Sequence, residues 1–400
     1  MMDTRIFNTM EDLPAAAALL KAGGMVAVPT ETVYGLCVNG LDEAAVAALY
    51  EAKGRPEVKP LSLMVAGPED MEKYASLVPP AALTLARRFW PGPLTIILPA
   101  RDLVPAITRA GGATVGLRCP DHAMTLSLLK TVGIPLAGPS ANPSGRPSPK
   151  TAEEVLAYFD GVIDAVVDGG ACGIGTESTI IDLSVTPYRI LRQGALSEDV
   201  IDDALVSGMK VIGLTGGSGS GKTTAMNYLV ERGALGLDCD EVYHRLLREC
   251  EPMLAEIKAR FPAAFPDGSF DRKSLGRIVF ADSAALADLN AITHRYVREE
   301  VRARLREHAM NGGAAAVIDA VELIDGGLGE LCTLTVGVVA DRKKRAARIM
   351  AREGISEEYA LSRIDAQKSD EYYEQTCDSV IRNDGGREAL YARCRELFGI

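Results

Sequence analysis

The chain has 400 residues, 47% of them hydrophobic and 24% charged, with a net charge of −11, enough apolar material for two globular domains of ordinary size. Residues 1–205 hold 16 Lys and Arg against 24 Asp and Glu, and the remainder 27 against 30 (net −8 and −3), so no stable nucleic-acid binding is expected of either half. No run reaches transmembrane length, the opening MMDTRIFNTMEDLP lacks a signal-peptide layout, and the eight cysteines include no C-x-x-C pair; a cytoplasmic chain without membrane contact, zinc site or disulfide framework is expected.

From the N-terminus, apolar strand patterns alternate with helical ones. Strands are predicted at Met25–Pro29, Leu61–Val65, Leu94–Leu98, Thr114–Leu117, Ile134–Ala137, Val162–Val167 and Thr179–Leu183. Helices are predicted at Ala44–Ala52, Pro80–Phe89, Ala123–Thr131 and Thr151–Tyr158, with Pro and Gly clusters at the joints. Ser197–Val206 reads as a capped helix that closes a first α/β domain, residues 1–206. A second α/β domain, residues 210–400, opens with an apolar strand at Val211 that runs into Gly216-Gly217-Ser218-Gly219-Ser220-Gly221-Lys222-Thr223-Thr224. A strand at Leu235–Asp240 follows, then a helical region over Glu241–Met310, strands at Ala314–Ile318 and Leu334–Val339, and mostly helix to the end, with a short strand at Val380.

Within the first domain seven polar motifs stand out, four of them placing hydroxyl, amide or cationic side chains just beyond a predicted strand, where α/β domains collect ligands. They are Pro29-Thr30-Glu31-Thr32-Val33-Tyr34-Gly35-Leu36, Lys53-Gly-Arg55-Pro56 with Lys59, Trp90-Pro-Gly-Pro93, Thr114-Val-Gly-Leu-Arg118, Ser140-Ala-Asn142, Thr176-Glu-Ser178-Thr179 and Arg192-Gln-Gly194. Lys53, Arg55, Lys59, Arg118 and Arg192 could neutralise a triphosphate and a carboxylate, and Ser140 and Asn142 add fixed donors and acceptors. Each cation also reads as an ordinary surface charge. No Cys/His or Ser/His/Asp arrangement for covalent catalysis is present, so the residues alone define an anion-binding α/β domain.

Over residues 10–206, PTETVYGL, KGRP, WPGPLT, the K-x-R and S-x-N pairs and the closing ILRQG resemble the threonylcarbamoyl-AMP synthases of the YrdC-like fold. The resemblance implies a twisted open sheet with helices, and condensation of L-threonine, bicarbonate and ATP for use by the tRNA-modification machinery. It implies that Thr32, Arg118 and Ser178 bind threonine and that Arg55, Lys59, Thr114, Asn142 and Arg192 bind ATP. Lys53 and Ser140 complete the two pairs, with Lys53 and Arg55 as catalytic candidates.

In the second domain G-x-x-x-x-G-K-T is a phosphate-binding loop. The backbone N–H groups from Gly216 to Gly221 cradle phosphate, Lys222 reaches the terminal phosphates and Thr223 can ligate Mg²⁺. Asp238 and Asp240 end the next strand, where one carboxylate can hold Mg²⁺ and the other take a proton from an acceptor hydroxyl. Asp319 ends a buried strand in the Walker-B position. Arg345, Arg348 and Arg352 share one face of a basic helix, and Val380-Ile-Arg-Asn383-Asp-Gly suits a base. Solvated charges and helix caps are the structural alternatives.

The ordered set LTGGSGSGKTT, LDCDEVYH, ITHRYV, VIDAVELIDGGL, RIMAREGISEEYALSRIDAQ and CDSVIRNDG resembles dephospho-CoA kinase over 210–398. The resemblance implies a P-loop α/β/α core with helical acceptor and lid regions, and phosphorylation of the ribose 3′-hydroxyl of dephospho-CoA by ATP. It implies Asp240 as general base, Lys222 on phosphate, and Thr223 and Asp238 on Mg²⁺. Arg348 and Arg352 become lid arginines, Asn383 lies near adenine and His294 sits in the acceptor region. Ala320-Val-Glu-Leu323 departs from the family's proline followed by leucines. The alternative is an RNA-binding first domain joined to another small-molecule P-loop kinase.

Overall fold

The computed structural model describes residues 3–399; Met1, Met2 and Ile400, at the ends of the two expected domains, lie outside the described residues. The chain divides into two compact units, Met1–Gly208 with Met310–Gly312, and Met209–Ala309 with Gly313–Ile400.

In the first unit ten short strands form one mixed sheet: β1 (Arg5–Phe7), β2 (Val26–Val28), β3 (Gly35–Asn39), β4 (Ser62–Met64), β5 (Leu94–Pro99), β6 (Thr114–Arg118), β7 (Leu136–Ala137), β8 (Ala165–Val167), β9 (Thr179–Asp182) and β10 (Arg189–Arg192). Their order is β1-β8-β2-β3-β7-β4-β6-β5-β9-β10. The helices Leu13–Lys21 and Ala123–Val132 bury Leu13, Leu20, Leu128 and Leu129 against Val26, Val28, Cys37 and Ala165 of the sheet. Burying each such side chain contributes about 1.5–3 kcal/mol. Strands β1, β3 and β10 were not expected. The first four residues of β3 are all buried, so it shows no alternation, whereas β10 is largely exposed and lacks an apolar face.

The second unit is a parallel five-stranded sheet in the order β12-β13-β11-β14-β15, with β11 (Lys210–Thr215), β12 (Leu235–Asp238), β13 (Ala315–Asp319), β14 (Leu334–Val339) and β15 (Ser379–Arg382). Helices Lys222–Val230 and Arg387–Phe398 pack Tyr228, Leu229, Leu390 and Phe398 on its apolar strands. The expected strand Leu235–Asp240 is shorter: Asp238 accepts from the N–H groups of Asp240 and Glu241 (2.9 and 3.2 Å) and starts a helix at Cys239. The expected helical region over 241–310 is several helices, of which the last runs from Ser283 to Met310. Helices Arg342–Glu353 and Glu357–Asp365 form a hairpin with its own small core of Ala346, Ile349, Ala360 and Ile364.

Candidate active sites

Strand periodicity builds the first site. On β6 the side chains of Thr114 and Arg118 share one face with the bare backbone of Gly116 between them, while Val115 and Leu117 are buried on the other. Thr95 and Ile97 of β5 and Ser62 of β4 continue that face, and together they floor a cavity of about 220 Å³. It lies over the face of the sheet as well as at the strand ends. Among the expected residues, Arg55, Thr114, Arg118, Ser140, Ser178 and Arg192 all line this cavity.

Arg118 is 8% exposed and bonds through Nη2 to Glu31 Oε1 (2.7 Å) and Thr32 Oγ1 (2.8 Å). Its buried Nε has no protein partner among the described residues, an unused donor suited to a ligand. The other oxygen of Glu31 accepts from the Asp121 N–H at 2.9 Å, so one carboxylate ties the end of β6 to the loop after β2. Ser178 shares a hydrogen bond with Thr95 Oγ1 (2.9 Å), and Arg192 donates to the Ser178 carbonyl and hydroxyl and pairs with Glu177. Arg55 is half-buried and donates to the carbonyls of Lys59 (3.3 Å) and Pro60 (3.1 Å).

Thr32 reaches the cavity through Arg118, while Lys53, Lys59 and Asn142 do not line it. Lys53 is buried and its ammonium donates to the carbonyls of Ser140 and Asn142, holding the turn that presents Ser140. Burial, followed by the charge of Arg55, lowers Lys53 to about 7. Asn142 donates to the carbonyls of Pro143 and Arg146 and its Oδ1 has no partner among the described residues. Lys59 is exposed. Three guanidinium groups around one cavity suit a ligand with several anionic groups.

The second site begins at the C-terminal end of β11, the central strand. Gly216 has φ +140°, and a Cβ there would lie 2.2 Å from the Val338 carbonyl oxygen, so the tight exit from β11 requires glycine. Residues 217–219 and 221–224 line a cavity of about 640 Å³ with Asp238, Asp240, Asp319, Arg348, Arg352 and Arg363. Lys222 Nζ donates to the Gly216 carbonyl at 2.9 Å. The parallel register of β12 and β13 sets Asp238 opposite Asp319. Burial raises Asp319 to about 6; Lys222 opposes the rise, and the charges of Asp238 and Asp240 add to it. A hydroxyl at Thr223 beside these carboxylates is an all-oxygen donor set, which fits Mg²⁺.

Arg348 donates to the carbonyls of Gly219 (3.1 Å), Ser220 (3.3 Å) and Asn383 (3.0 Å), so one side chain joins the basic helix, the phosphate loop and the turn after β15. Asn383 is buried, and its amide donates to the Ser220 carbonyl at 2.7 Å. Neither Asn383 nor Gly216 nor the buried Ser220 lines the cavity.

Gly221 lines the cavity and also closes the turn into the next helix. It is the N-cap of helix Lys222–Val230, with φ +109°, and a Cβ on it would lie 2.2 Å from Asn383 Nδ2. The side of Gly221 where a side chain would stand is thus taken by the Asn383 amide, so packing alone requires glycine there. Arg352 is largely exposed beside Glu353 (2.5 Å). Arg345 is buried against the same loop, donating to the Ser218 carbonyl at 3.0 Å.

A second cavity of about 520 Å³, lined by Tyr243, Arg272, Phe280, His294 and Glu322 among others, also includes Asp240. Asp240 and Val321 line both this cavity and the phosphate-loop cavity. The divergent segment Ala320–Leu323 buries Leu323 in the core and sends Glu322 to His294 Nε2 at 3.1 Å. The sequence reading assigned no role to Glu31, Glu177, Arg363 or Gln367. All four stood inside quoted motifs, but Arg118, which pairs with Glu31, is 87 residues away, beyond the reach of local pattern.

Residues 18–194 match the Sua5/YciO/YrdC family model, described as telomere recombination, and residues 210–388 match the dephospho-CoA kinase family model. A threonylcarbamoyl-AMP synthase of Pyrococcus abyssi is 46% identical over 190 residues, 48% of this chain and 56% of that protein. The corresponding Bacillus subtilis protein is 47% identical over 189 residues, 47% of this chain and 54% of its own length. A dephospho-CoA kinase of Corynebacterium glutamicum is 36% identical over 192 residues, 48% of this chain and 98% of that protein. The chain thus spans about half the length of the synthases it matches and nearly all of the kinase.

Proposed function

We propose, on the premise that the chain belongs to the dephospho-CoA kinase family through residues 210–388 and carries a Sua5/YciO/YrdC domain at residues 18–194, that it is a bifunctional ATP-using enzyme. The second unit transfers the γ-phosphate of ATP to the ribose 3′-hydroxyl of dephospho-CoA. The first makes threonylcarbamoyl-AMP from L-threonine, bicarbonate and ATP, for tRNA modification downstream. The family matches do not favour an RNA-binding first half or a different acceptor for the second.

The kinase reading rests on Asp240, which lines both the phosphate cavity and the neighbouring cavity that can take an acceptor. A carboxylate at that junction accepts the hydroxyl proton as the hydroxyl oxygen attacks phosphorus. Lys222 and the loop amides stabilise charge on the transferred group, and Arg348 and Arg352 complete its surroundings from the lid. Asn383, proposed to lie near the adenine, also steadies the loop, its amide holding the Ser220 carbonyl. Thr223 and Asp238, with Asp319 beside them, would hold Mg²⁺, which supplies positive charge to the phosphates.

The synthase reading rests on the three guanidiniums around one cavity. Threonine's amine captures CO₂ as a carbamate, whose oxygen attacks the α-phosphate of ATP and expels pyrophosphate. The protein therefore has to align two anions and stabilise charge at phosphorus. Arg118, Thr32 and Ser178 serve the threonine end; Arg55, Thr114, Arg192, Lys59 and Asn142 serve the nucleotide. Lys53 positions Ser140 through the carbonyls its ammonium holds. Incubating the intact chain with threonine, bicarbonate and ATP should release pyrophosphate and form threonylcarbamoyl-AMP. Incubation with dephospho-CoA and ATP should give CoA and ADP. If either product fails to form, that half of the proposal is wrong.

Two substitutions separate the halves. Arg55→Ala removes a charge-assisted phosphate contact of about 1.5–3 kcal/mol, so threonylcarbamoyl-AMP formation should fall at least tenfold while CoA formation is unchanged. Arg352→Ala should raise the ATP requirement of the kinase without lowering its melting temperature, because the side chain is largely exposed and reaches nucleotide only as the lid closes. Unchanged ATP dependence would make Arg352 ordinary solvated surface.

A further inference from the structure

We propose that Gln367 is a positioning residue for ATP, acting through the phosphate-binding loop; this rests on reading the second unit as an ATP-using kinase. Gln367 lies two residues beyond the lid helix Glu357–Asp365. Its amide grips one loop residue twice: Oε1 accepts from the Ser218 N–H and Nε2 donates to Ser218 Oγ, both at 2.9 Å. Arg345, from the other lid helix, completes the grip. Its Nε donates to the Ser218 carbonyl at 3.0 Å and its Nη2 to Gln367 Oε1 at 2.7 Å.

All three polar groups of Ser218 are therefore held by two side chains from outside the loop. The guanidinium is buried, so this charge-assisted contact is not exchanged for water. The loop's own sequence is cut to fit it. A Cβ at Gly217 would lie 1.9 Å from Arg345 Nη2, so the close approach of Arg345 requires a residue with no side chain there. Gly217 and Gln367 are thus two sides of one joint.

Residues 216–221 are all Gly or Ser, a composition with large conformational freedom to lose when phosphate is bound. Holding Ser218 in place before ATP arrives removes part of that loss and presents the following N–H groups in a fixed array. Such preorganisation acts on nucleotide affinity more than on the chemical step, because the contacts at Ser218 do not change as phosphorus moves.

The test uses the full chain and two substitutions of similar size. Gln367→Leu removes every contact made by the amide. Gln367→Glu keeps an acceptor for the Ser218 N–H and Arg345 and lets the Ser218 hydroxyl donate to its second oxygen. With dephospho-CoA as acceptor, Gln367→Leu should raise the KM for ATP about tenfold and change kcat less than about threefold, whereas Gln367→Glu should stay close to wild type. Hydrogen exchange of the 216–224 peptide should quicken in nucleotide-free Gln367→Leu, and its protection should need correspondingly more ATP. Where Gln367→Leu fails to fold, Ser218→Ala, which removes only the hydroxyl contact, should still raise the KM about two- to threefold. Wild-type KM and exchange in Gln367→Leu would overturn the proposal, as would a loss confined to kcat. A wild-type chain that protects 216–224 with ATP but leaves dephospho-CoA untouched would overturn the acceptor assignment and leave the role of Gln367 standing.

Discussion

Replacing Lys222 by alanine is expected to lower CoA formation about 10²–10³-fold and to leave threonine-dependent pyrophosphate release unchanged, which is the loss typical of removing one preorganised donor to a developing anion. The side chain lines the phosphate cavity, and its ammonium donates to the Gly216 carbonyl at 2.9 Å. That contact is weak enough to exchange for phosphate and close enough to keep the charge over the loop. Fold stability should barely change, because the loop is held separately by Arg345, Arg348, Asn383 and Gln367. ADP and pyrophosphate are different products, so the two reactions can be followed in one preparation of the intact chain. Equal loss of both in a folded variant would mean that one nucleotide site serves both reactions. Retained CoA formation would place the transferred phosphate elsewhere.

Much of the second site was legible because its chemistry is local. Gly216–Thr223 is one contiguous motif of glycines, serines, lysine and threonine, and the strand before it is buried over its last five residues. Asp319 was readable as the polar end of a buried strand. What sequence could not supply was register: only the pairing of β12 with β13 sets Asp238 opposite Asp319. The contact between Gly221 and Asn383 was hidden for the same reason, since β11 and β15 meet only through β14. The error at Asp238–Asp240 has a different origin. An aspartate after a strand caps a helix as readily as it continues a polar strand end, and here its carboxylate takes two helix N–H groups.

The first site was less legible because it is assembled from distant strands. Arg118 and Arg192 look like surface cations in sequence and become pocket residues only when β6, β5 and β9 lie side by side. Lys53 shows the converse. Within K-x-R it reads as a second phosphate ligand, yet its ammonium faces the carbonyls of Ser140 and Asn142. Gln367 carried no signal of its own, since a glutamine after a helix has no preferred partner until the fold provides one.

The largest effect on the stability of the first unit is expected from Arg118→Met, which leaves Glu31 buried without its counter-ion. The side chains of the pair are 9% and 11% exposed and 2.7 Å apart. Removing one member of a buried pair typically costs about 3–5 kcal/mol, because the remaining charge stays desolvated, and the total stability of a domain is only about 5–15 kcal/mol. Glu31→Gln in the same chain should restore much of the lost stability, since the amide oxygen can still accept from the Asp121 N–H while the unpaired charge is gone. It should not restore threonine use, because the guanidinium proposed to meet the threonine carboxylate is still absent. Urea unfolding of the wild type, both single variants and the double variant gives the coupling energy directly. Threonine-dependent pyrophosphate release measures the second quantity. Stability lost and regained together with activity would make Arg118 a purely structural ion-pair partner. An Arg118→Met variant as stable and as active as wild type would remove both the pair and the threonine site from this cavity.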